Sequence, residues 1–145
     1  MLTRIMVFGT FDILHKGHLD FFRQARKLAK RPFLIVSIAR DVNVKKIKGK
    51  KPILSEKKRQ ILVKKIGLAN KVVLGGLGRH LPHILRQKPD IIALGYDQKA
   101  YVKELKSDLK RRRLKAKVVK LKPFRPDIYK SSKLNAHRNR GGAGK

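Results

Sequence analysis

Short, continuously apolar runs alternate along this chain with stretches whose apolar residues recur every three or four positions. The first run, Ile5-Met6-Val7-Phe8, is closed by Gly9 and predicts a buried strand. Leu19, Phe22, Ala25, Leu28 and Ala29 then repeat at helical spacing and predict a helix over 16–30. Residues 33–39 form a second strand too uniformly apolar to have a wet face, which implies a parallel sheet covered on both sides. The basic stretch 45–52 predicts a loop. Ser55 is a good helix N-cap, and a helix follows to about Ile66. Strands over 72–74, 91–94 and 117–121, with helices over about 79–87 and 100–112, complete the alternation.

This order predicts an α/β fold: a Rossmann-like, open, parallel five-stranded sheet with helices on both faces, in a single domain. A chain of 145 residues suits one domain with a proper core. The domain is placed at 1–135, and the Gly-rich, basic residues 136–145 are expected to form a disordered tail. Ligands of such sheets bind at the carboxyl ends of the strands, near the point where strand order reverses. The unusual residues of the sequence fall there: 9–18 after the first strand, Arg40 and Asp41 after the second, 95–98 after the fourth.

Composition narrows the chemistry. The absence of cysteine excludes a disulfide framework, a thiolate metal site and a catalytic thiol, and it suits a reducing compartment. No apolar stretch is long enough to span a bilayer and no cleavage-site pattern opens the chain, so a soluble, cytoplasmic protein is expected. The 39 Lys and Arg against 9 Asp and Glu give a net charge of +30, a field that attracts nucleotides, nucleic acid and anionic headgroups alike. The basic residues are spread over the whole chain, so charge alone does not choose among these partners. Aromatic residues make up 6% of the chain and show no stacking stripe, which weighs against recognition of nucleic-acid bases. A basic nucleic-acid-binding protein on this fold, using Lys110-Arg111-Arg112-Arg113 and the tail, is nevertheless the rival reading of another class.

The segment Gly9-Thr10-Phe11-Asp12-Ile13-Leu14-His15-Lys16-Gly17-His18 carries the most specific chemistry. Two imidazoles three residues apart at a helix N-terminus share a face beside backbone N–H groups, and Gly17 lets a ligand approach the backbone. Such a place holds phosphate, and the imidazoles can donate to oxygens on which charge grows during reaction. Taken singly, each histidine has an ordinary explanation as a turn cap; the combination with the preceding Gly-Thr-Phe-Asp favours a nucleotide site. Asp12 is read as a brace for the turn. Glu56 and Asp90 have sufficient structural roles, as a first-turn helix residue and a turn residue.

Gly9-Thr10-Phe11-Asp12 followed by His15-x-Gly17-His18 resembles the signature of the cytidylyltransferase-like nucleotidyltransferases, over most of the chain. The resemblance implies nucleotide binding by Gly9, Thr10, Phe11, His15, Gly17 and His18, with Asp41 near the nucleotide and Arg59 reaching the same pocket. It also implies a catalytic lysine after the second strand, best matched by Lys48, with Lys46 its nearest competitor. The late Ser/Thr pair of the family is matched by Ser131 and Ser132, which would hold the outer phosphates. The helix after that pair is shorter than is usual in the family, running soon into Arg138-Asn139-Arg140-Gly141-Gly142. The segment Leu94-Gly95-Tyr96-Asp97-Gln98, with Asp97 near the nucleobase, looks more like the archaeal FAD synthases than the glycerol-phosphate enzymes.

The expected reaction is therefore nucleotidyl transfer from a nucleoside triphosphate to a phosphate-bearing acceptor, with loss of pyrophosphate. ATP with FMN, giving FAD, is the first choice; CTP with glycerol 3-phosphate is the alternative. A phosphate acceptor is already largely ionised near neutral pH, so positioning and charge stabilisation suffice without a general base. His15, His18, Lys48 and Thr10 are assigned to the transferring phosphate and Mg²⁺ to the nucleotide. No zinc site in the protein is expected, and a homodimer is usual among the relatives that the resemblance implies.

Overall fold

The computed structural model describes residues 1–78, 80–96, 98 and 102–124. Its elements follow as β1 (Thr3–Gly9), α1 (Lys16–Arg26), β2 (Pro32–Ile38), α2 (Asp41–Lys48), α3 (Glu56–Ile66), β3 (Lys71–Leu74), α4 (His80–Gln87), β4 (Ile91–Leu94), α5 (Val102–Arg111) and β5 (Lys117–Lys120). The strands form one five-stranded sheet in the order β3-β2-β1-β4-β5, and every pairing is parallel. The order reverses between β1 and β4, which makes their carboxyl ends the expected ligand crevice. Among the described residues no helix is long and apolar enough to cross a membrane.

Side-chain alternation along the central strands divides the core between the two faces. Ile5 and Val7 of β1 join Leu34, Val36 and Ile38 of β2 in packing against Phe22 and Ala25 of α1 and Val63 of α3. Met6 and Ile35 point the other way, where Ile92 and Leu94 of β4 meet Ile84 of α4 and Leu105 and Leu109 of α5. Each face thus has its own pair of helices. β1 and β2 pair along their whole length, from Thr3↔Pro32 to Gly9↔Ile38. β1 and β4 pair only at Ile5↔Ile91 and Met6↔Ile92, so the sheet parts above Met6.

The expectation of a loop over 45–52 holds for 49–52 and is overturned for 45–48. Residues 41–48 form α2, started by extended Arg40, with Asp41 in the first turn and Lys45, Lys46 and Lys48 in the last. Those charges suit the two ends of the helix dipole, and Gly49, at a φ of 81°, supplies the left-handed cap that stops it. Val44 is the only buried residue of α2, which is why the apolar periodicity was too weak to announce a helix. The helix expected over 16–30 closes at Arg26. Tight turn bonds from the amides of Leu28 and Ala29 take over there while both side chains continue to pack on the core.

Ser37, near the end of β2, and His83 of α4 form a buried hydrogen bond, Oγ to Nε2, of 2.8 Å. Burial holds the His83 pKa below its ordinary 6.5, and the cationic surroundings of Arg86, His80, Arg40 and Lys71 act in the same direction. His15 and His18 are lowered too, His18 to about 4. In all three the unfolded chain takes up a proton at higher pH than the folded one. Stability is therefore complete above 6.5, the unfolded value, and declines as pH falls below it toward the folded values, about 4 for His18. Urea melts across this window test the account, and His83→Gln, which cannot take up a charge, flattens part of the slope. An unchanged slope in that variant would remove His83 from the explanation.

Candidate active site

The motif turn is built around a phenylalanine in an unusual conformation. Phe11 has a φ of 54°, in the left-handed region that non-glycine residues seldom adopt, yet its ring is buried. The ring lies edge-on to His18, 5.4 Å between centroids, and 5.3 Å from Phe22 of α1. Its other neighbour is Gly9: a Cβ added there would stand 2.5 Å from the Phe11 ring. The absent side chain of Gly9 is thus the space in which Phe11 sits. Gly9→Ala should cost about 1–3 kcal/mol through overpacking and displace the turn. A melting temperature and turnover equal to wild type would sink that packing account.

His15 and His18 are bound into the start of α1. His15 is the N-cap, and its Nδ1 accepts the amide of Gly17 at 3.0 Å. The Nδ1 of His18 accepts the amide of His15 at 3.3 Å, so the two side chains close a reciprocal capping box. The rings lie 4.0 Å apart, inclined at 33°. A ring nitrogen that accepts an N–H carries no proton, which places the proton of each neutral ring on Nε2. Burial, and for His18 also the neighbouring His15, keeps both rings neutral near pH 7. The result is a fixed pair of Nε2–H donors. Backbone N–H groups at this helix start were expected to serve a phosphate, but the amides of His15 and Gly17 are engaged inside the turn.

Asp12 braces as expected, but across a long distance in sequence: its two oxygens accept the amides of Ile53 and Leu54 at 2.7 and 2.8 Å. Arg59 of α3 has no solvent exposure. Its Nη1 donates to the carbonyl of Thr10 at 2.8 Å, its Nε to that of Leu54 at 3.0 Å, and its Nη2 to Asp41 at 2.6 Å. Three of the five guanidinium N–H groups are thus engaged by the protein, and they tie Arg59 to Thr10, Leu54 and Asp41. Glu56 occupies the first turn of its helix as read, and its carboxylate also accepts the amide of Asp41 and a bond from Arg40, both at 2.9 Å. Asp41 returns a contact to the amide of Glu56 at 3.3 Å.

These contacts bring Gly9, Thr10, Phe11, His15, Gly17, His18, Asp41 and Arg59 into one connected cluster at the carboxyl end of β1. Lys48 is the exposed last residue of α2, with Lys46 exposed beside it. Asp97, Ser131 and Ser132 lie outside the described residues, as does the segment 136–145. Among the described residues no group of three or more His, Asp or Glu side chains could hold a metal ion.

One residue of the crevice was read only as part of the segment 94–98, without a role of its own. Gln98 donates from Nε2 to the carbonyl of Phe8 at 2.6 Å and accepts the amide of Gly95 on Oε1 at 2.7 Å. Its own amide bonds to the Gly95 carbonyl at 3.1 Å. The side chain thus ties the turn after β4 to the end of β1, across the gap where the two strands have ceased to pair. A contact spanning ninety positions leaves no periodic signal, and only the glycine-containing turn around it was visible.

A pocket of about 270 Å³ lies elsewhere, lined by Ile84, Leu109, Pro89 and Leu114 with Lys88 and Lys115. It opens where α4 leads into β4, below the amino ends of the strands, and is therefore remote from the imidazole pair.

Comparison with known proteins agrees with this geometry. A family model described as cytidylyltransferase-like matches residues 6–136. The chain is 42% identical over 123 residues to an FAD synthase from Aciduliprofundum boonei, an alignment covering 85% of this chain and 80% of that protein. It is 43% identical over 122 residues to an FAD synthase from Korarchaeum cryptofilum, covering 83% and 82%. Among solved structures it resembles a lipopolysaccharide core biosynthesis protein from Thermoplasma volcanium, with a TM-score of 0.77 and 35% identity over 84% of this chain and 98% of that one. The motif, the sheet order and these matches coincide, and the chain belongs to the cytidylyltransferase-like family.

Proposed function

We propose that this protein is an FMN adenylyltransferase: it moves AMP from ATP to the phosphate of FMN, forming FAD and releasing pyrophosphate. The observation that carries the reading is the pair of neutral imidazoles locked by their Nδ1 atoms at the start of α1, beside the crevice between β1 and β4. The two FAD synthase relatives support the choice of acceptor.

An oxygen of the FMN phosphate forms a bond to the α-phosphorus, and the bond from that phosphorus to the pyrophosphate oxygen breaks in line. No proton needs to be removed, because the attacking oxygen is already ionised. The Nε2–H groups of His15 and His18 donate to the α-phosphate oxygens as charge redistributes, and Thr10 is assigned to the same phosphate. They act as hydrogen-bond donors of fixed direction, which is where electrostatic catalysis gains most. Lys48 places a cation over the phosphates, and Ser131 and Ser132 are assigned to the departing pyrophosphate. Asp12 and Asp41 spend their carboxylates on backbone amides and Arg59, so a divalent cation fits here chiefly through phosphate oxygens and water. Mg²⁺ bound in that way supplies neutralisation of the triphosphate charge.

The test is pyrophosphate release with ATP or CTP crossed against FMN, glycerol 3-phosphate and phosphocholine, with Mg²⁺. Release with ATP and FMN, accompanied by FAD, supports the reading. Release only with CTP and glycerol 3-phosphate reassigns the protein to cytidylyl transfer. Silence in every pairing, together with tight, salt-sensitive RNA binding, would favour a nucleic-acid-binding role.

A further inference from the structure

The pocket below the amino ends of the strands has no part in the proposed transfer, yet it is a formed cavity. Its walls are two helix-to-strand connections, α4 to β4 and α5 to β5, and backbone bonds fix both. The amide of Lys88 donates to the carbonyl of Ile84 at 3.1 Å, that of Leu114 to Leu109 at 2.9 Å, and that of Lys117 to Asp90 at 2.9 Å. The last of these joins the two connections, so the space between them is held open by the fold itself, as in most small-molecule sites. The lining is aliphatic, with Ile84, Leu85, Pro89, Leu109, Leu114 and Ala116. Its volume of about 270 Å³ is the share of about nine molecules of liquid water, which is room for a short hydrocarbon chain.

The charged part of the lining is cationic. Lys88 and Lys115 both line the pocket, and both are exposed. Asp90, the acid of the lining, is engaged by the chain: its Oδ2 accepts the amide of Arg4 at 2.8 Å. Lys110, Arg112 and Arg113 are exposed on the segment that joins Leu109 to Leu114 and add to the positive field, while Arg111 of the same segment pairs with Asp108. Lys88 and Arg113 have φ values of 50° and 55°, in the left-handed region where a chain leaving a helix ordinarily uses glycine. The chain has a cation at each. The partial negative charge of a helix end accounts for part of that choice. It does not account for Lys115, which lies past the end of α5 and lines the same cavity. We infer that this pocket binds a small amphipathic anion, an aliphatic carboxylate of about eight to ten carbons, its chain against the leucines and its carboxylate held by Lys88 and Lys115. No aromatic side chain stands among the described lining residues for a ring to stack on, which favours a flexible chain. The site lies at the opposite end of the sheet from the imidazole pair, so the inference is independent of which acceptor the enzyme uses.

Octanoate is the probe, titrated into the unaltered protein by calorimetry and followed by amide chemical shifts, with pyrophosphate present to occupy the anion site at the motif. The expected result is one molecule per chain, with shifts concentrated in 84–90 and 109–116. From butanoate upward the affinity should rise about fourfold for each added methylene, and it should level off near decanoate, when the cavity is full. Ala116→Leu, which fills the cavity, should weaken octanoate by about tenfold or more. Lys88→Gln/Lys115→Gln should weaken it by about fivefold or more, and because both side chains are exposed this variant keeps the test alive if the first does not fold. Lys57→Gln/Lys58→Gln, which removes the same charge from α3, should change the affinity by less than about twofold. Equal weakening by the two lysine pairs, affinity that keeps climbing beyond decanoate, or shifts spread over the whole chain would mean general adsorption to a cationic protein and overturn the inference. Absence of binding would overturn it too, as would a dimer that Ala116→Leu converts to monomers, since the pocket would then belong to a second copy of the chain.

Discussion

His18→Ala is expected to lower kcat by about 10²–10³-fold, the usual loss when one fixed donor to a charge-developing oxygen is removed. The KM for ATP should move far less, because the other groups proposed to hold the nucleotide are unaltered. The pH profile separates two versions of this role. With a pKa of about 4, His18 is a neutral donor throughout the range in which the enzyme is assayed, and it contributes no inflection near 6.5. An inflection there in the unaltered protein, absent from His18→Ala, would show instead that imidazolium does the work. His18→Ala also removes the acceptor of the His15 amide, so a melting curve must accompany the kinetics.

Arg59→Leu is the substitution expected to cost most stability. Losing the guanidinium strands the carbonyls of Thr10 and Leu54 and leaves Asp41 without its charge partner. Breaking a buried pair of this kind costs about 3–5 kcal/mol, and the lower end applies because the Asp41 side chain keeps 27% of its exposure. Arg59→Lys should recover little, since one ammonium cannot serve three acceptors set around a planar fork. Activity should fall with stability because the same bonds hold Thr10. Urea unfolding decides the matter: a loss below about 1 kcal/mol, or a lysine variant as stable as wild type, would mean that Arg59 is not the brace described.

Interactions local in sequence were legible, and those closing long loops were not. Short apolar runs announced all five strands, and the spacing of His15, Gly17 and His18 announced the turn that opens α1. The helix at 41–48 was hidden because it buries one side chain and carries a lysine-rich surface that reads equally as a loop. Arg59 was visible as a residue of the site, but whether a guanidinium faces a ligand or its own chain depends on a carbonyl forty-nine residues away. Gln98 and the Ser37 to His83 contact were silent for the same reason: neither contributes to any repeat.

The short pairing of β1 with β4 has a mechanical meaning. Among the described residues, two halves, β3-β2-β1 and β4-β5, are joined at the base by two ladder pairs and the Arg4 to Asp90 bonds, on one face by the packing of Met6 and Ile35 on Ile92 and Leu94, and at the top by the side chain of Gln98. A nucleotide lodged between them, as proposed, would act as a further clasp, so its binding energy would add to the work of separating the halves. Saturating ATP is then expected to raise the melting temperature and to slow amide exchange along that seam, in Phe8, Gly9 and Gly95.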